Sequence, residues 1–525
     1  MTTRTTRKSK PSSAGAKIHR TDVLIVGSGF SGLGMAMQLR KAGLDDFLII
    51  EKASDIGGTW RDNVYPGCAC DVPSYMYSYS FEPRSDWSKV WAGQQEIQDY
   101  LTGLATKYDL YSRTHFGCAL SSAYWDEAES RWRVTTSDGS EYVARFLISG
   151  IGALHIPNIP DIKGQDTFNG QSFHSAQWDH ECSLEGKRVA VIGTGASAIQ
   201  FVPKIAPLVA ELQLYQRTPA WVLPRRNFSV PGSLQKMFAR TPLLPRILRS
   251  AIYWSAESLA IGLNGHSNLM RPIEYIARRN IARSIDDPAL RERLTPDYRI
   301  GCKRILGSND YYPALNLPST TVITDGIAEI NEDRIVSTDG QERQVDVIIY
   351  ATGFHVTDGF DSLKLKGSTG LELAAHWNNS GINTHLGITA AGFPNLFFLL
   401  GPNTGLGHNS VVFMIECQIK YVLQAIRLTS ERQADALTVR QSVQNAFNST
   451  IQRKLANGVW TNGGCTSWYL DSNGVNRTVW PGFTWQYWLQ TRKVSESDFE
   501  FTGRPESNTT KRDTAGADMA EKAKS

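Results

Sequence analysis

The sequence predicts an α/β protein with two Rossmann-like dinucleotide-binding domains, the second of them inserted in the first. The main observation is a pattern of apolar strand, glycine turn and small-residue helix that occurs twice. In each copy a second short strand follows, and the spacing is the same: Gly27 to Glu51 and Gly193 to Arg217 are both 24 positions. Units of this βαβ kind bind nucleotides at the carboxyl ends of parallel strands.

Two further apolar runs indicate the order of the domains. They lie around Leu147 and Ile348, end in glycine and bracket the second βαβ unit, so we expect the second domain to interrupt the first. Polar, charged tails are predicted to be disordered, and a stretch with helical period is predicted to be an insertion. The predicted segments are tail 1–19, first dinucleotide-binding domain 20–155, second dinucleotide-binding domain 156–224, helical insertion 225–297, second dinucleotide-binding domain 298–344, first dinucleotide-binding domain 345–504 and tail 505–525.

Composition excludes several classes of protein. The 525 residues include 41% hydrophobic and 20% charged residues, with a net charge of +4, which favours a large globular core and not a nucleic-acid partner. An apolar run of about 18 residues, as a membrane-spanning helix needs, is missing, and the basic N-terminus lacks the apolar core of a secretory signal. Seven cysteines exclude a disulfide-framework protein and fit a reducing compartment, so we expect a cytoplasmic location.

The first glycine turn is predicted to bind FAD or NAD. Its three glycines permit a tight turn, close approach to a pyrophosphate, and close contact between helix and strand. The helix N-terminus offers free N–H groups to phosphates, and the acid that ends the next strand can accept hydrogen bonds from ribose hydroxyls. The candidate residues are Gly27, Ser28, Gly29, Phe30, Gly32, Glu51 and Lys52.

The second glycine turn is predicted to bind NADPH. Arg217 stands where the first unit has Glu51, and a guanidinium can bind the 2′-phosphate that a carboxylate would repel. The candidate residues are Gly193, Thr194, Gly195, Ala196, Ser197, Ala198, Arg217 and Thr218.

The segment after Glu51 supplies further candidates for the flavin site. Backbone at Gly57 and Gly58 can approach the ribityl-phosphate region, and Trp60 and Tyr65 can stack. Cys68 and Cys70 are interpreted as packing residues, because a single residue separates them and no second pair completes a zinc site, so no metal is predicted. The candidates from this segment are Gly58, Thr59, Trp60, Asp71 and Tyr77.

Between the two units lies a stretch that resembles the fingerprint of the Baeyer–Villiger monooxygenases. Every fixed position of that fingerprint is matched, by Phe168, Gly170, His174, Trp178 and Asp179. Other flavin-containing monooxygenases typically lack the final Trp-Asp or Trp-Pro. The resemblance extends over about residues 20–500, with further matching runs at 57–60, 65–67, 216–219 and 351–354.

The resemblance implies roles for several residues. From the sequence alone, Lys303 and Arg304 are as easily solvated charges, and His174 is more often a structural histidine. The resemblance implies that Lys303 contacts the NADPH 2′-phosphate beside Arg217. Arg304, paired with Asp71, would lie over the flavin and stabilise the anion of a C4a-peroxyflavin. His174 would then be a linker residue that couples domain movement to turnover.

The implied activity is the conversion of ketones to esters or lactones with O2, FAD and NADPH. Three alternatives remain: a flavin monooxygenase that oxidises sulfur or nitrogen in soft nucleophiles, an NADPH oxidase or reductase without oxygen transfer, and a non-catalytic flavin-binding module. The expected partners are a small-molecule ketone and O2, without nucleic acid. The sequence does not indicate which ketone is used or the oligomeric state.

The Arg217→Ala variant tests the assignment of the second turn. We expect it to lose about 1.5–3 kcal/mol of NADPH binding, or about 10- to 150-fold, because a charge-assisted pair with the 2′-phosphate disappears. NADH, which lacks that phosphate, should be used nearly as before. Steady-state kinetics with both coenzymes measure the preference, and an unchanged preference would contradict the assignment.

Overall fold

The computed structural model describes residues 17–225, 227–356, 364–471 and 473–503. Strands and helices alternate along much of the chain, as expected for an α/β fold. The strands are β1 Ile18–Val26, β2 Phe47–Ile50, β3 Thr114–His115, β4 Leu120–Asp126, β5 Arg131–Thr136, β6 Glu141–Ser149, β7 Gln171–His174, β8 Arg188–Ile192, β9 Glu211–Tyr215, β10 Val222–Leu223, β11 Leu306–Gly307, β12 Thr320–Ile323, β13 Ile327–Ile330, β14 Arg334–Ser337, β15 Glu342–Gln344, β16 Val347–Tyr350, β17 Lys364–Lys366, β18 Leu396–Phe398, β19 Ala436–Val439 and β20 Phe499–Thr502.

The helices lie mainly between these strands and in the second half of the chain. They are α1 Phe30–Lys41, α2 Thr59–Asp62, α3 Gln94–Lys107, α4 Ala198–Ile205, α5 Gly232–Arg240, α6 Leu243–Leu263, α7 Arg271–Ser284, α8 Pro288–Leu294, α9 Tyr311–Leu315, α10 Leu373–Ser380, α11 Val411–Glu431, α12 Gln441–Leu455, α13 Val459–Asn462 and α14 Thr484–Thr491.

The first sheet carries the first glycine turn. Its strand order is β17-β4-β5-β6-β1-β2-β3, and β18 pairs with β6 outside this path. The central strand β1 is parallel to β2 and β6, with Val23 opposite both Phe47 and Phe146. Its apolar residues are buried on both faces, which is the normal environment of a parallel strand. Helix α1 begins directly after the turn and packs against α11.

The second sheet carries the second glycine turn, with the strand order β12-β9-β8-β16-β7. All of its pairings are parallel, and β8 pairs with β9 from Arg188 opposite Glu211 to Ile192 opposite Tyr215. The prediction of an α/β fold with two dinucleotide-binding units is therefore confirmed.

Some predicted boundaries differ from the structure. Strand β16 pairs with β8 and β7, so the predicted return to the first domain at residue 345 is wrong: this strand completes the second sheet. The apolar run alone could not show which sheet it joins. Strand β1 begins at Ile18, inside the predicted tail 1–19. Residues 1–16 and the predicted tail 505–525 lie outside the described residues.

The segment 225–297 contains the helices α5 to α8. Its longest helix, α6, buries Glu257, Ala260 and Leu263, but leaves Ile247 and Trp254 exposed. Other apolar side chains of α6, namely Leu244, Leu248 and Ile252, pack against the core of the first unit. Among the described helices, none is both long and apolar enough to cross a membrane.

Two of the seven cysteines form a disulfide, between Cys302 and Cys465. The bond departs from the expectation that all the cysteines suit a reducing compartment. The two residues are 163 positions apart, so local spacing did not suggest the pair. The bond attaches the C-terminal segment around Cys465 to Cys302, which directly precedes Lys303.

Gly32→Ala and Gly103→Ala should change stability in opposite directions. A Cβ at Gly32 would stand 1.8 Å from the carbonyl oxygen of Gly27, so we expect a loss of at least about 1–3 kcal/mol. A Cβ at Gly103, in the exposed middle of α3, meets nothing within 4 Å, and alanine should stabilise this helix by about 1 kcal/mol. Thermal unfolding of the holoenzyme measures both changes. A midpoint for Gly32→Ala equal to that of the wild type would contradict the close helix–strand contact.

Candidate active site

The first glycine turn leaves open backbone at the carboxyl end of β1. Gly27 has a φ of +96°, which favours glycine, and Gly58 approaches the turn so closely that a Cβ on it would lie 3.1 Å from the Cα of Gly29. Phe30 begins α1 and is buried, and Thr59 begins α2. Lys52 is exposed beyond the end of β2. The two glycine segments therefore face each other with no side chain between them, as a pyrophosphate site requires.

Glu51 is buried at the end of β2 and is held by the turn itself. One carboxylate oxygen accepts hydrogen bonds from the backbone N–H (2.9 Å) and the hydroxyl (2.7 Å) of Ser28, and the other accepts from the N–H of Ala53 and from Arg61. Burial alone raises the pKa of Glu51, but these donors outweigh burial and hold the pKa below its ordinary value. The carboxylate is therefore charged at neutral pH, and a ribose hydroxyl would share it with Ser28.

Three contacting aromatic side chains lie between the first glycine turn and Arg304. The ring of Phe30 lies 5.1 Å from that of Tyr77, whose hydroxyl accepts a hydrogen bond from the indole N–H of Trp60 (3.1 Å). Burial raises the pKa of Tyr77, with Asp71 and Arg304 among the charges that act on it. Trp60 and Tyr77 thus lie between the glycine turn and these two charged residues.

Arg304 and Asp71 form an ion pair in which Nε donates to the Asp71 carboxylate. Of the two side chains, 27% and 30% remain exposed, so the pair is partly open to a ligand. Burial raises the pKa of Asp71, but Arg304 and then Arg225 outweigh it, and the pKa lies below its ordinary value. Asp71 in turn raises the pKa of Arg304. Both groups therefore stay charged at neutral pH.

Sequence reasoning missed three groups beside this pair. The carbonyl of Leu406 accepts a hydrogen bond from Arg304 Nη1 at 3.0 Å. Arg225 donates to the carbonyl of Cys70, the residue next to Asp71, at 2.7 Å. Tyr469 is buried close enough for the Arg304 charge to act on its pKa. Among these, a weak sequence signal existed only for Tyr469, which lies in the aromatic segment 464–469.

The second glycine turn has the same local geometry as the first. Gly193 has a φ of +109°, and a Cβ on it would lie 2.4 Å from the carbonyl oxygen of Ala351, whereas Gly195 has no atom in its way. The hydroxyl of Thr194 donates to the carbonyl of Thr218 at 3.0 Å. Ala196 is exposed, and Ser197 directly precedes α4, which begins at Ala198. The turn is thus joined to the end of β9, where Arg217 lies.

Lys303 and Arg217 bring two positive charges together beside Thr218. Lys303 Nζ donates to the Thr218 hydroxyl at 2.5 Å, and Arg217 is exposed. The pKa of Lys303 is lowered, mainly by burial and then by the charge of Arg217. Neither cation forms an ion pair within the part of the chain that the structure describes. A cluster of this kind suits a phosphate dianion.

Lys303 and Arg304, although adjacent in sequence, point to different units. Lys303 binds Thr218 at the end of β9 in the second sheet, and Arg304 binds Asp71 in the segment that follows β2 of the first sheet. One dipeptide therefore contributes one cation to each of the two units.

The fingerprint residues lie just before β7, at its end and in the segment that follows it. Strand β7 is the edge of the second sheet and ends at His174, opposite Tyr350. Gly170 allows close contact with β16, because a Cβ there would lie 2.4 Å from the carbonyl oxygen of Asp346. Phe168 is partly buried against the core of the second sheet, and Asp179 accepts a hydrogen bond from the N–H of Glu181. These residues contact protein atoms of the second unit.

His174 is buried, and its Nδ1 accepts a hydrogen bond from the N–H of Ala176 at 3.1 Å. Burial lowers the pKa of His174, so the ring is neutral at neutral pH. The ring of Trp178 lies 5.3 Å from that of Phe201 in α4. Both side chains are therefore held within the second unit.

Two interpretations of the segment after β2 can be compared with the structure. Tyr65 packs away from the first turn: its hydroxyl donates to Gln200 at 3.0 Å, and its ring contacts Phe201, so the expected stacking role is wrong. Cys70 is buried in the core, and burial raises the pKa of Cys68 to about 11. Both cysteines are free thiols in positions that disfavour the reactive thiolate.

Comparison with known proteins gives the family. A family model described as pyridine nucleotide-disulphide oxidoreductase matches residues 24–235. A Baeyer-Villiger monooxygenase of Pseudomonas aeruginosa is 48% identical over 484 residues, which cover 92% of each chain. A Baeyer-Villiger monooxygenase of Streptomyces coelicolor is 45% identical over 480 residues, which cover 91% of this chain and 92% of the relative.

Solved structures agree with these relatives. The closed crystal structure of cyclohexanone monooxygenase has a TM-score of 0.84 and 26% identity, and the match covers 93% of this chain and 100% of that one. Oxidized steroid monooxygenase bound to NADP has a TM-score of 0.83 and 30% identity, with coverage of 92% and 99%. On the strength of the sequence relatives, over nearly the whole chain, the protein belongs to the Baeyer–Villiger monooxygenases.

Proposed function

We propose that Arg304, held by Asp71, is the catalytic cation of this Baeyer–Villiger monooxygenase, which converts ketones to esters or lactones with O2. The observation that carries the proposal is the division of the Lys303-Arg304 dipeptide between the two dinucleotide units. Lys303 would then serve the binding of NADPH, and Arg304 would act on oxygen transfer beside the first unit.

The first unit fits FAD. Gly29 and Gly58 pack backbone to backbone, and because neither carries a side chain, the pyrophosphate could approach the backbone beside them. Glu51 would hold the ribose, and Trp60 and Tyr77 would line the path to the flavin ring. Bound FAD, once reduced by NADPH, supplies the activation of oxygen. The remaining chemistry falls to the side chains around it.

The second unit fits NADPH and not NADH. Burial and the charge of Arg217 lower the pKa of Lys303, which shows that the two positive charges repel each other. A 2′-phosphate between them would offset that repulsion with charge-assisted hydrogen bonds. Thr218 would orient Lys303, and the open Gly195 would allow the pyrophosphate to approach the helix N-terminus of α4.

Arg304 would stabilise negative charge on the oxygen that is transferred. An anion in a site without water takes up a proton unless a fixed cation lies beside it. A guanidinium cannot be deprotonated in a protein, and Asp71 raises the pKa of Arg304 further. The carbonyl of Leu406 and the carboxylate of Asp71 hold two different nitrogens of the guanidinium, which fixes its orientation.

The ketone itself is best identified by experiment. Purified holoenzyme with NADPH and O2 would be incubated with cyclic, linear, aryl and steroidal ketones, and with a thioether as the competing substrate class. Mass spectrometry of the products then separates an ester or lactone from a sulfoxide. Sulfoxide from the thioether, without ester from any ketone, would favour the alternative oxidation of soft nucleophiles. NADPH use matched only by hydrogen peroxide would indicate an oxidase.

Arg304→Ala should separate the two half-reactions. We expect NADPH to reduce the flavin at a rate close to that of the wild type, while ester formation falls by about 10²–10³ or more, because the stabilising charge is gone. Arg304→Lys should also be strongly impaired, since an ammonium lacks the fixed fork that Asp71 and Leu406 hold. Stopped-flow reduction and product analysis measure the two steps.

A suitable control is Arg188→Ala, which breaks a similar arginine–aspartate pair with Asp346 at a distance of 2.7 Å in the second sheet. This variant should keep both half-reactions. Ester formation by Arg304→Ala at nearly the wild-type rate would overturn the proposed role.

Asp71→Asn should weaken oxygen transfer by about 10- to 100-fold, because small displacements of a catalytic group have effects of this size. The amide keeps the shape of the side chain but removes the charge that holds Arg304. In the wild type, the pKa of Asp71 lies below its ordinary value, so the pair should persist as the pH falls through about 4, where an unpaired aspartate takes up a proton. The ratio of ester to hydrogen peroxide, followed from pH 8 to about 4, measures this. An unchanged ratio in the variant would contradict the positioning role.

A further inference from the structure

A buried carboxylate on α6 lies outside the residues considered so far. Glu257 is only 2% exposed, although it is in the helical insertion and far in sequence from both glycine turns. Burial of a carboxylate costs several kcal/mol unless hydrogen bonds and charge partners compensate. Its partners therefore indicate what the residue is for.

Glu257 joins three segments of the chain. One carboxylate oxygen accepts from the side-chain amide of Asn409 (2.7 Å) and the hydroxyl of Thr484 (2.6 Å), and the other accepts from the backbone N–H of Thr484 (2.9 Å). Nε2 of His408 lies 3.3 Å from the first oxygen. The carboxylate thus connects α6, the loop before α11 and the start of α14.

These donors keep the carboxylate charged. Burial raises the pKa of Glu257, but His408, Thr484 and Asn409 together outweigh burial, and the pKa lies below its ordinary value. At neutral pH the side chain is therefore an acceptor only, with no proton to donate.

The loop that Glu257 holds is the loop that holds Arg304. Leu406, whose carbonyl accepts from Arg304 Nη1, lies three positions before Asn409. On its other side, Gly405 is fixed by a hydrogen bond to the Thr478 carbonyl and by one from the Trp480 N–H. The carbonyl of Leu406 is thus held between two anchored points, and Glu257 supplies the anchor at Asn409.

We infer that Glu257 is a positioning residue for Arg304 and acts through the loop Leu406–Asn409. Asp71 supplies the charge that attracts the guanidinium, and the Leu406 carbonyl sets its rotation. A loop that is free at Asn409 would let the guanidinium turn about the bond to Asp71. The inference rests on the proposed role of Arg304 and gives the helical insertion a part in the reaction.

Glu416 offers a matched control. It is also a buried carboxylate that contacts α6, since it accepts a hydrogen bond from the Ser80 N–H (2.6 Å) and lies 3.9 Å from Arg249. Among the described residues, no hydrogen bond or ion pair joins Glu416 to the loop Leu406–Asn409. Glu416→Gln therefore reports the effect of a lost carboxylate at the α6 interface without a change at the loop.

The test compares Glu257→Gln with Glu416→Gln in the holoenzyme. Glutamine keeps the shape, but its amide nitrogen cannot accept the bonds that the lost oxygen accepted. For Glu257→Gln we expect flavin reduction within about 3-fold of the wild type, a kcat for ester about 10- to 100-fold lower with a similar KM, and a larger share of hydrogen peroxide. Glu416→Gln should keep the ratio of ester to peroxide, even if its melting temperature falls.

Hydrogen–deuterium exchange gives a readout without turnover. Peptides that cover residues 403–410 should exchange faster in Glu257→Gln than in the wild type and in Glu416→Gln. If Glu257→Gln does not fold, Asn409→Ala provides the second variant: it removes the hydrogen bond from the loop amide and leaves Glu257 beside His408 and bound to Thr484. We expect the ratio of ester to peroxide to fall in this variant as it does in Glu257→Gln.

The outcomes separate this inference from the proposed function. The inference alone would be overturned if Glu257→Gln keeps the wild-type ratio of ester to peroxide and the wild-type exchange at 403–410. Arg304→Ala would in that case still lose ester formation. Ester formation that survives Arg304→Ala would overturn the proposed function, whatever Glu257 does. An equal fall in the ratio of ester to peroxide in Glu257→Gln and Glu416→Gln would overturn the inference too, because Glu257 would then only stabilise the interface of α6.

Discussion

The ion pair between Arg304 and Asp71 is the interaction on which the proposed chemistry depends. It joins the segment after β2, which belongs to the first dinucleotide unit, to a dipeptide whose other member binds the second unit. Each partner shifts the pKa of the other, so that both stay charged. Asp71 raises the pKa of Arg304, and Arg304 holds the pKa of Asp71 below its ordinary value. The cation is therefore permanent and has a defined place.

The surroundings of this pair restrict the guanidinium further. The carbonyl of Leu406 binds a second nitrogen, and Glu257 anchors the loop that presents this carbonyl. The disulfide between Cys302 and Cys465 attaches the residue before Lys303 to the aromatic segment that contains Tyr469. Segments distant in sequence thus converge on one charged group. Such preorganisation is what electrostatic stabilisation of a transient anion requires.

Much of the fold could be predicted because its signals are local. Apolar strands followed by glycine turns identified both parallel sheets, and Gly32 has the close contact with Gly27 that its place in the turn suggested. Errors arose where several partners were possible. Strand β16 joined the second sheet and not the first, and Tyr65 turned towards α4 and not towards the glycine turn. Neither choice is visible in a run of apolar or aromatic residues.

The sequence by itself determined the two nucleotide units, the opposite charges of Glu51 and Arg217, and the family, since these depend on short patterns and fixed spacings. The tertiary structure alone decided which groups surround Arg304. The Leu406 carbonyl is a backbone atom that every residue has, and Glu257 and Cys465 lie far from Arg304 in the chain. Their roles depend on burial and on contacts across distant segments, which local sequence does not encode.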